Sequence, residues 1–260
     1  MIDTHCHLFY FNKPGKNTHQ VILEAFKTGV NTLINVGINL TQMTELQKIS
    51  EEFEFVFHSI GVHPHETQNL HLEDLPIMEQ ALQHAKCVAV GEIGIDYYYE
   101  HSPKMIQRER LRWQLELALK SKKPVIIHSR NGEEDLLEGL KEFTNQWDFT
   151  HPPGVIHCFS GSEAFGKACL DLGFFISFSG ILTFKNANEL RKMAQNFPLD
   201  RLLLETDAPY LAPEPFRGKD CEPKMIQETA KKLAEVKGLS LEEIEYVTTK
   251  NAKTLFQIFS

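Results

Sequence analysis

The chain has 260 residues, 42% of them hydrophobic and 24% charged, with a formal charge of −8. That much apolar material can bury a large core, and the lack of long polar tracts excludes a disordered chain. The acidic balance argues against a protein that coats nucleic acid nonspecifically, but not against an enzyme that grips one phosphate with a metal and a few local cations.

The five cysteines (Cys6, Cys87, Cys158, Cys169 and Cys221) are odd in number and sit mostly in apolar segments. They suit reduced thiols better than a disulfide framework. No apolar run is long enough to span a bilayer, and no signal-peptide pattern precedes Asp3. The expectation is a soluble, cytoplasmic protein with no membrane association.

Along the chain, Met1–His7 reads as a strand ending on His5-Cys6-His7. Alternate side chains of a strand share a face, so both imidazoles stand on one side, roughly 7 Å apart at Cα. A short helix over Gln20–Thr28 and a strand over Asn31–Gly37 follow. Thr41–Glu52 carries Met43, Leu46 and Ile49 at helical spacing. The third strand, Phe55–Val62, runs into His63-Pro64-His65, and the fourth, Cys87–Ile95, carries Glu92 at its end. Ser102–Ser121 is a long helix with Leu111, Leu115, Ala118 and Leu119 as its apolar stripe. Pro124–His128 is a fifth strand closing on His128, and Asn131–Trp147 a helix. Gly154–Cys158 is a sixth strand that delivers His157, followed by a helix over Ser162–Leu172. Gly173–Phe178 and Arg201–Thr206 are the last strands, with a helix over Asn186–Phe197 between them and Asp207 after them. The proline-bearing stretch Leu211–Pro223 reads as a loop over the mouth. Glu222–Lys237 is helical, and Ser240-Leu241-Glu242-Glu243 is a capping box that opens the last helix.

Eight strands alternating with helices predict an α/β fold, a (β/α)8 TIM barrel, as one domain over residues 1–260. A doubly wound open sheet is the alternative, but its Gly-rich fingerprint is missing after the first strand. In such a barrel the C-terminal strand ends form the active face. His5, His7, Glu92, His128, His157 and Asp207 all fall there, at the ends of five strands. Four histidines and two carboxylates suit one or two divalent cations: Zn²⁺, Mn²⁺ or Fe²⁺, with Mg²⁺ possible at a carboxylate-rich position. Glu92 can bridge two metals. Such a pair, about 3.5–4 Å apart, activates a water and clamps the oxygens of an in-line displacement. Asp207 and Glu92 are the expected catalytic carboxylates, Asp207 also taking the proton from the attacking water.

At this point a resemblance is plain. The chain resembles the TatD-family metal-dependent deoxyribonucleases, within the wider amidohydrolase-like barrel group. It does so through Ile2-Asp3-Thr4-His5-Cys6-His7, Gly61-Val62-His63-Pro64-His65, Val90-Gly91-Glu92-Ile93-Gly94-Ile95-Asp96-Tyr97 and Pro124-Val125-Ile126-Ile127-His128-Ser129-Arg130. Further carriers are His157-Cys158-Phe159-Ser160-Gly161, Leu204-Glu205-Thr206-Asp207-Ala208-Pro209-Tyr210-Leu211 and Arg217-Gly218-Lys219 before Glu222-Pro223. The resemblance implies a (β/α)8 barrel, one or two metals, and phosphodiester hydrolysis on DNA, often 3′→5′ from an end. By analogy His5, His7, Glu92 and Asp207 would bind one metal, and Glu92, His128 and His157 the other. The substrate would be single-stranded DNA or frayed ends. Where the family commonly has Asn before Glu-Pro, this chain has Cys221, a departure that bears on loop packing or substrate contacts rather than on chemistry.

Among the supporting residues, His63 and His65 are candidates to contact a substrate phosphate or to fix the loop. Arg130, Lys185, Arg217 and Lys219 are candidates to neutralise phosphate, though such cations are more often simply solvated. Tyr97, Tyr98, Tyr99 and Phe159 could stack a base, with barrel-mouth packing the commoner role. Asp96 is a candidate to orient a metal-binding histidine, while Glu205 reads as structural because it faces away from Thr206. Arg108, Arg110 and Arg112 read as an exposed helix face. Two other functions fit the same residues less well: a metal-dependent ester or amide hydrolase such as a D-aminoacyl-tRNA deacylase, and a non-enzymatic scaffold with structural metals.

Overall fold

In the structure, a computed structural model that describes residues 1–258, the apolar runs become strands covered on both faces. They are β1 (Ile2–Cys6), β2 (Thr32–Val36), β3 (Val56–Ile60), β4 (Cys87–Asp96), β5 (Val125–Arg130), β6 (Gly154–Ile156), β7 (Phe175–Phe178) and β8 (Leu202–Leu204). Each pairs in parallel with the next, in chain order. Between and after them lie α1 (Thr18–Lys27), α2 (Met43–Glu52), α3 (Leu75–Leu82), α4 (Lys104–Ser121), α5 (Glu133–Thr144), α6 (Glu163–Asp171), α7 (Asn188–Asn196), α8 (Ile226–Lys237) and α9 (Leu241–Phe256). This is the expected single-domain barrel.

Period-two alternation divides each run between two apolar clusters. Val125 and Ile127 join the helices while Ile126 belongs with the other cluster, and Leu202 and Leu204 part from Leu203 in the same way. The smaller cluster gathers Ile34, Val88, Ile126, Val155, Phe175 and Leu203 with Ala252, Leu255 and Phe256 of α9. The capping box that opens α9 is formed as expected, the Ser240 hydroxyl accepting from Glu243 N and the Glu243 carboxylate accepting from Ser240 N.

Between β1 and β8 the barrel is sealed just past the strand ends. Asp207 N donates to His5 O at 2.9 Å and His7 N to Ala208 O at 2.7 Å. Asp3, fully buried, accepts from Thr206 N at 3.0 Å and from the Thr206 hydroxyl at 2.6 Å. The residues bonded across this seam thus include three of the predicted ligands, His5, His7 and Asp207.

The sequence pattern shows no helix between β3 and β4, yet α3 is there. It is eight residues long and buries only Met78, Ala81 and Leu82, too little for an apolar stripe to register. The reading of Arg110 as exposed is also corrected. Its guanidinium stacks on Trp113 at 3.7 Å and its Nε donates to Leu70 O at 2.7 Å. Among the described residues, no helix is long and apolar enough to cross a membrane.

His58, on β3, is fully buried and its Nδ1 meets the Ser50 hydroxyl at 2.8 Å. Burial drives its pKa down to about 3, so the ring stays neutral in the fold. An unfolded histidine takes up a proton near pH ~6.5. Stability from this site is therefore present above that pH and falls as pH drops toward 3, by up to about 1.4 kcal/mol per unit. Urea unfolding between about pH 7 and 5 should show a shallower pH slope for His58→Leu than for the wild type. Equal slopes would refute the assignment.

Candidate metal centre

All six predicted ligands meet at the C-terminal end of the barrel, around the carboxylate of Glu92. Its position corrects one expectation: Glu92 lies inside β4 rather than at its end. The ladder to β5 slips by one residue between Val90 and Ile93, and a bulge of this kind re-aims the side chain it carries. Gly94, at φ +149°, leaves no room for a Cβ against the His128 carbonyl, which is why glycine stands where β4 and β5 run closest. His7 and His157 sit one residue beyond their strands, and Asp207 three residues beyond β8 with φ +57°, a left-handed conformation that aspartate tolerates.

The two oxygens of Glu92 face different partners. Oε2 is 3.4 Å from His5 Nε2 and 3.8 Å from His7 Nε2. These two nitrogens are 3.3 Å apart, and Asp207 Oδ1 lies 3.4 Å from His7 Nε2 and 3.7 Å from His5 Nε2. Oε1 is 2.8 Å from His157 Nε2, 3.0 Å from His128 Nδ1 and 3.4 Å from His63 Nε2. The donors thus fall into two half-sets that share one carboxylate. His63, expected to touch substrate or fix the loop, belongs by position to the second: its ligand-type atoms and those of Glu92 and His128 lie within 4.8 Å of one another.

Three of the imidazoles are aimed from behind. His7 Nδ1 meets Val36 O at 2.9 Å, His157 Nδ1 meets Glu205 Oε1 at 3.3 Å, and His128 Nε2 meets Asp96 Oδ2 at 3.1 Å. Glu205 therefore does more than the sequence analysis gave it. It does face away from Thr206, but on the side it shares with Leu203, where its carboxylate also accepts from Cys158 N at 2.8 Å. Asp96 serves His128 and His65 alike, its Oδ2 being 2.9 Å from His65 Nε2. Gln107, fully buried on α4, holds this strand end by accepting from Asp96 N and donating to Asp96 O, and Gln114 does the same to Val62. Neither glutamine carried a sequence signal, since a polar residue on an otherwise ordinary helix does not reveal what it caps.

Burial works against charge on Glu92, but the nearby His157 and hydrogen bonds from His128 and His157 hold its carboxyl well below the ordinary range. Asp207 is held down in the same way against burial, chiefly by its hydrogen bond with His7 and the nearness of His5 and His157. Burial pushes His63 down to about 4, so it stays neutral. Asp3, deeper still, is pushed up to about 8 by burial despite its three donors.

A cavity of about 530 Å³ opens over the centre, and His63, His65 and Arg130 line it with Glu92, His128 and Asp207. Lys185 and Arg217 do not. Lys185 is exposed, and the guanidinium of Arg217 stacks on Phe184 at 3.8 Å and donates to Ala212 O at 3.0 Å. Lys219 lies over the Phe216 ring instead. Phe159 is buried against Phe178 and Phe197, and Tyr97 donates to Asp135, which leaves Tyr98 and Tyr99 exposed. Cys221 is fully buried beneath the mouth loop, its N donating to Pro209 O at 2.9 Å, so this departure from the family pattern is one of packing.

The model of the family described as TatD related DNase matches residues 2–257. The chain belongs to the TatD family. It is 39% identical over 258 residues to the uncharacterized metal-dependent hydrolase YabD of Bacillus subtilis, covering 99% of both chains. It is 32% identical to the 3′-5′ ssDNA/RNA exonuclease TatD of Edwardsiella piscicida, covering 92% of this chain and 93% of that one. The crystal structure of YjjV, a TatD homologue of Escherichia coli K12, superposes with a TM-score of 0.91 at 30% identity, covering 100% of this chain and 98% of that one. The protein is a metal-dependent hydrolase of this family, and the donors fit that chemistry. With one ring proton of His7, His157 and His128 given to Val36, Glu205 and Asp96, each opposite nitrogen faces the centre and can offer a lone pair once deprotonated. Burial works against charge on His7, His128 and His157, but the surrounding carboxylates raise all three, so the nitrogens facing the centre hold protons that divalent cations would displace.

Asp96→Asn should lower metal affinity about 10–100-fold, because His128 loses the charged acceptor that orients it. Titration of the chelator-stripped variant with Zn²⁺ or Mn²⁺, followed by equilibrium dialysis, measures this. Unchanged affinity would remove Asp96 from the account.

Proposed function

We propose that this hydrolase cleaves phosphodiester bonds of DNA from an end, in the 3′→5′ direction, on single-stranded or frayed substrate. The observation that carries the reading is the pair of donor half-sets sharing Glu92, with the Arg130 guanidinium on the rim of the same cavity. His5, His7, Glu92 and Asp207 would hold one cation, and Glu92, His128 and His157 the other. Zn²⁺, Mn²⁺ and Mg²⁺ are the candidates. The printed name of the Edwardsiella relative, an exonuclease on single strands, supports the substrate class.

When bound, divalent cations lower the pKa of a water and offset charge on the phosphoryl oxygens. The chain supplies the rest. Asp207 is ionised at neutral pH and partly open to the cavity, so its carboxylate accepts the proton of the attacking water. Arg130 offers its paired N–H donors to phosphate oxygens. Glu205, Asp96 and the Val36 carbonyl keep the imidazoles from turning away.

Asp207→Asn should lower kcat by about 10²–10⁴-fold, the scale of general-base catalysis, with an unchanged far-ultraviolet circular dichroism spectrum. Single strands labelled at either end should release the 3′ label first. Intact DNA beside a cleaved aminoacyl ester would replace this reading with the ester hydrolase.

A further inference from the structure

Two aromatic groups stand at the mouth, and the chemistry above uses neither. Tyr98 and Tyr99 follow β4 and are 57% and 52% exposed. Arg130, which ends β5, lays its guanidinium over both rings, 4.2 Å and 4.8 Å from their centroids. Tyr10 follows β1 and Tyr210 follows β8, with ring centroids 5.9 Å apart and Tyr210 49% exposed.

Strand order relates the two groups. In an eight-stranded barrel whose strands pair in sequence, β4 and β5 lie half a turn from β8 and β1. Tyr99 and Arg130 on one side, and Tyr10 and Tyr210 on the other, line the same cavity as Glu92 and Asp207. The first group is also rigidly mounted. Asp96 Oδ1 accepts from Tyr98 N and from Tyr99 N, both at 3.0 Å, while Oδ2 of the same carboxylate orients His128. One buried side chain thus fixes an aromatic platform in register with the donors. Solvent-exposed rings beside a polar cleft have a purpose when a flat apolar ligand covers them.

We propose that the two groups form a clamp that stacks unpaired nucleobases on either side of the phosphate held at the centre. The proposal rests on the phosphodiester reading and names the part of the substrate recognised. Every base has a π-face, so such a clamp is tolerant of sequence. A base within a duplex has both faces covered by its neighbours, so the clamp favours free ends. Arg130 adds cation–π attraction on the Tyr98 and Tyr99 side.

The test uses metal-loaded protein and two fluorescein-labelled strands with phosphorothioate linkages that slow hydrolysis, one of oligothymidylate and one abasic throughout. Anisotropy should show the thymidylate strand bound at least about 5-fold more tightly, the lower end of what one stacked base contributes. Tyr99→Leu and Tyr210→Leu should each erase most of that preference, while Tyr99→Phe and Tyr210→Phe retain it. Equal affinity of the wild type for the two strands, or Leu variants that keep the preference, overturns the clamp even if DNA is cleaved. A strand bound with preference while its unmodified counterpart stays uncut leaves the clamp standing and sinks the hydrolytic reading. Protein that neither binds nor cuts either strand rejects both. Should a Leu variant fail to fold, the wild-type comparison of the two strands still decides.

Discussion

An ionised carboxylate shut away from water must be met on all sides by donors or cations, and Glu92 imposes that requirement on the whole molecule. It is 3% exposed, and five imidazoles reach within 3.8 Å of it. Those rings come from β1, β3, β5 and β6 or the residues just after them, so the carboxylate is satisfied only when half the barrel is assembled. The same convergence that makes the fold demanding leaves the centre able to hold divalent cations.

Behind the rings stands a layer with its own logic. Val36 O, Glu205 and Asp96 each take one nitrogen of a different imidazole, which settles where the other nitrogen points. Asp96 extends this control outward, because the oxygen not used by His128 and His65 anchors the backbone of Tyr98 and Tyr99. The glutamines of α4 tie the ends of β3 and β4 to that helix. Metal-facing rings, loop and outer helix are therefore mechanically one unit. The β1–β8 seam is another, with Asp3 and Thr206 bonded beneath His5 and Asp207.

Much of this was legible in the linear chain because burial on two faces and period-two alternation are properties of neighbouring residues. Eight apolar runs, several of them unalternating, gave the strands to within a few residues, and the ligand-type residues near their ends gave the centre. Where the linear pattern was weak it misled. The short stretch over α3, with a proline in its first turn, hid a helix, Glu92 was placed at a strand end although it sits inside β4, and Arg110 was read as exposed although it stacks on Trp113.

The sequence by itself determined the fold class, the strands and the identity of the residues gathered at the centre, because each depends on local periodicity and side-chain type. Only the tertiary structure decided which oxygen of Glu92 faces which imidazoles, that His63 joins them, that Glu205 stands behind His157, and that Lys185 and Arg217 lie off the cavity. Those outcomes depend on distances between segments far apart in the chain, on a one-residue bulge and on which side of a strand faces inward. No stretch of neighbouring residues encodes them alone.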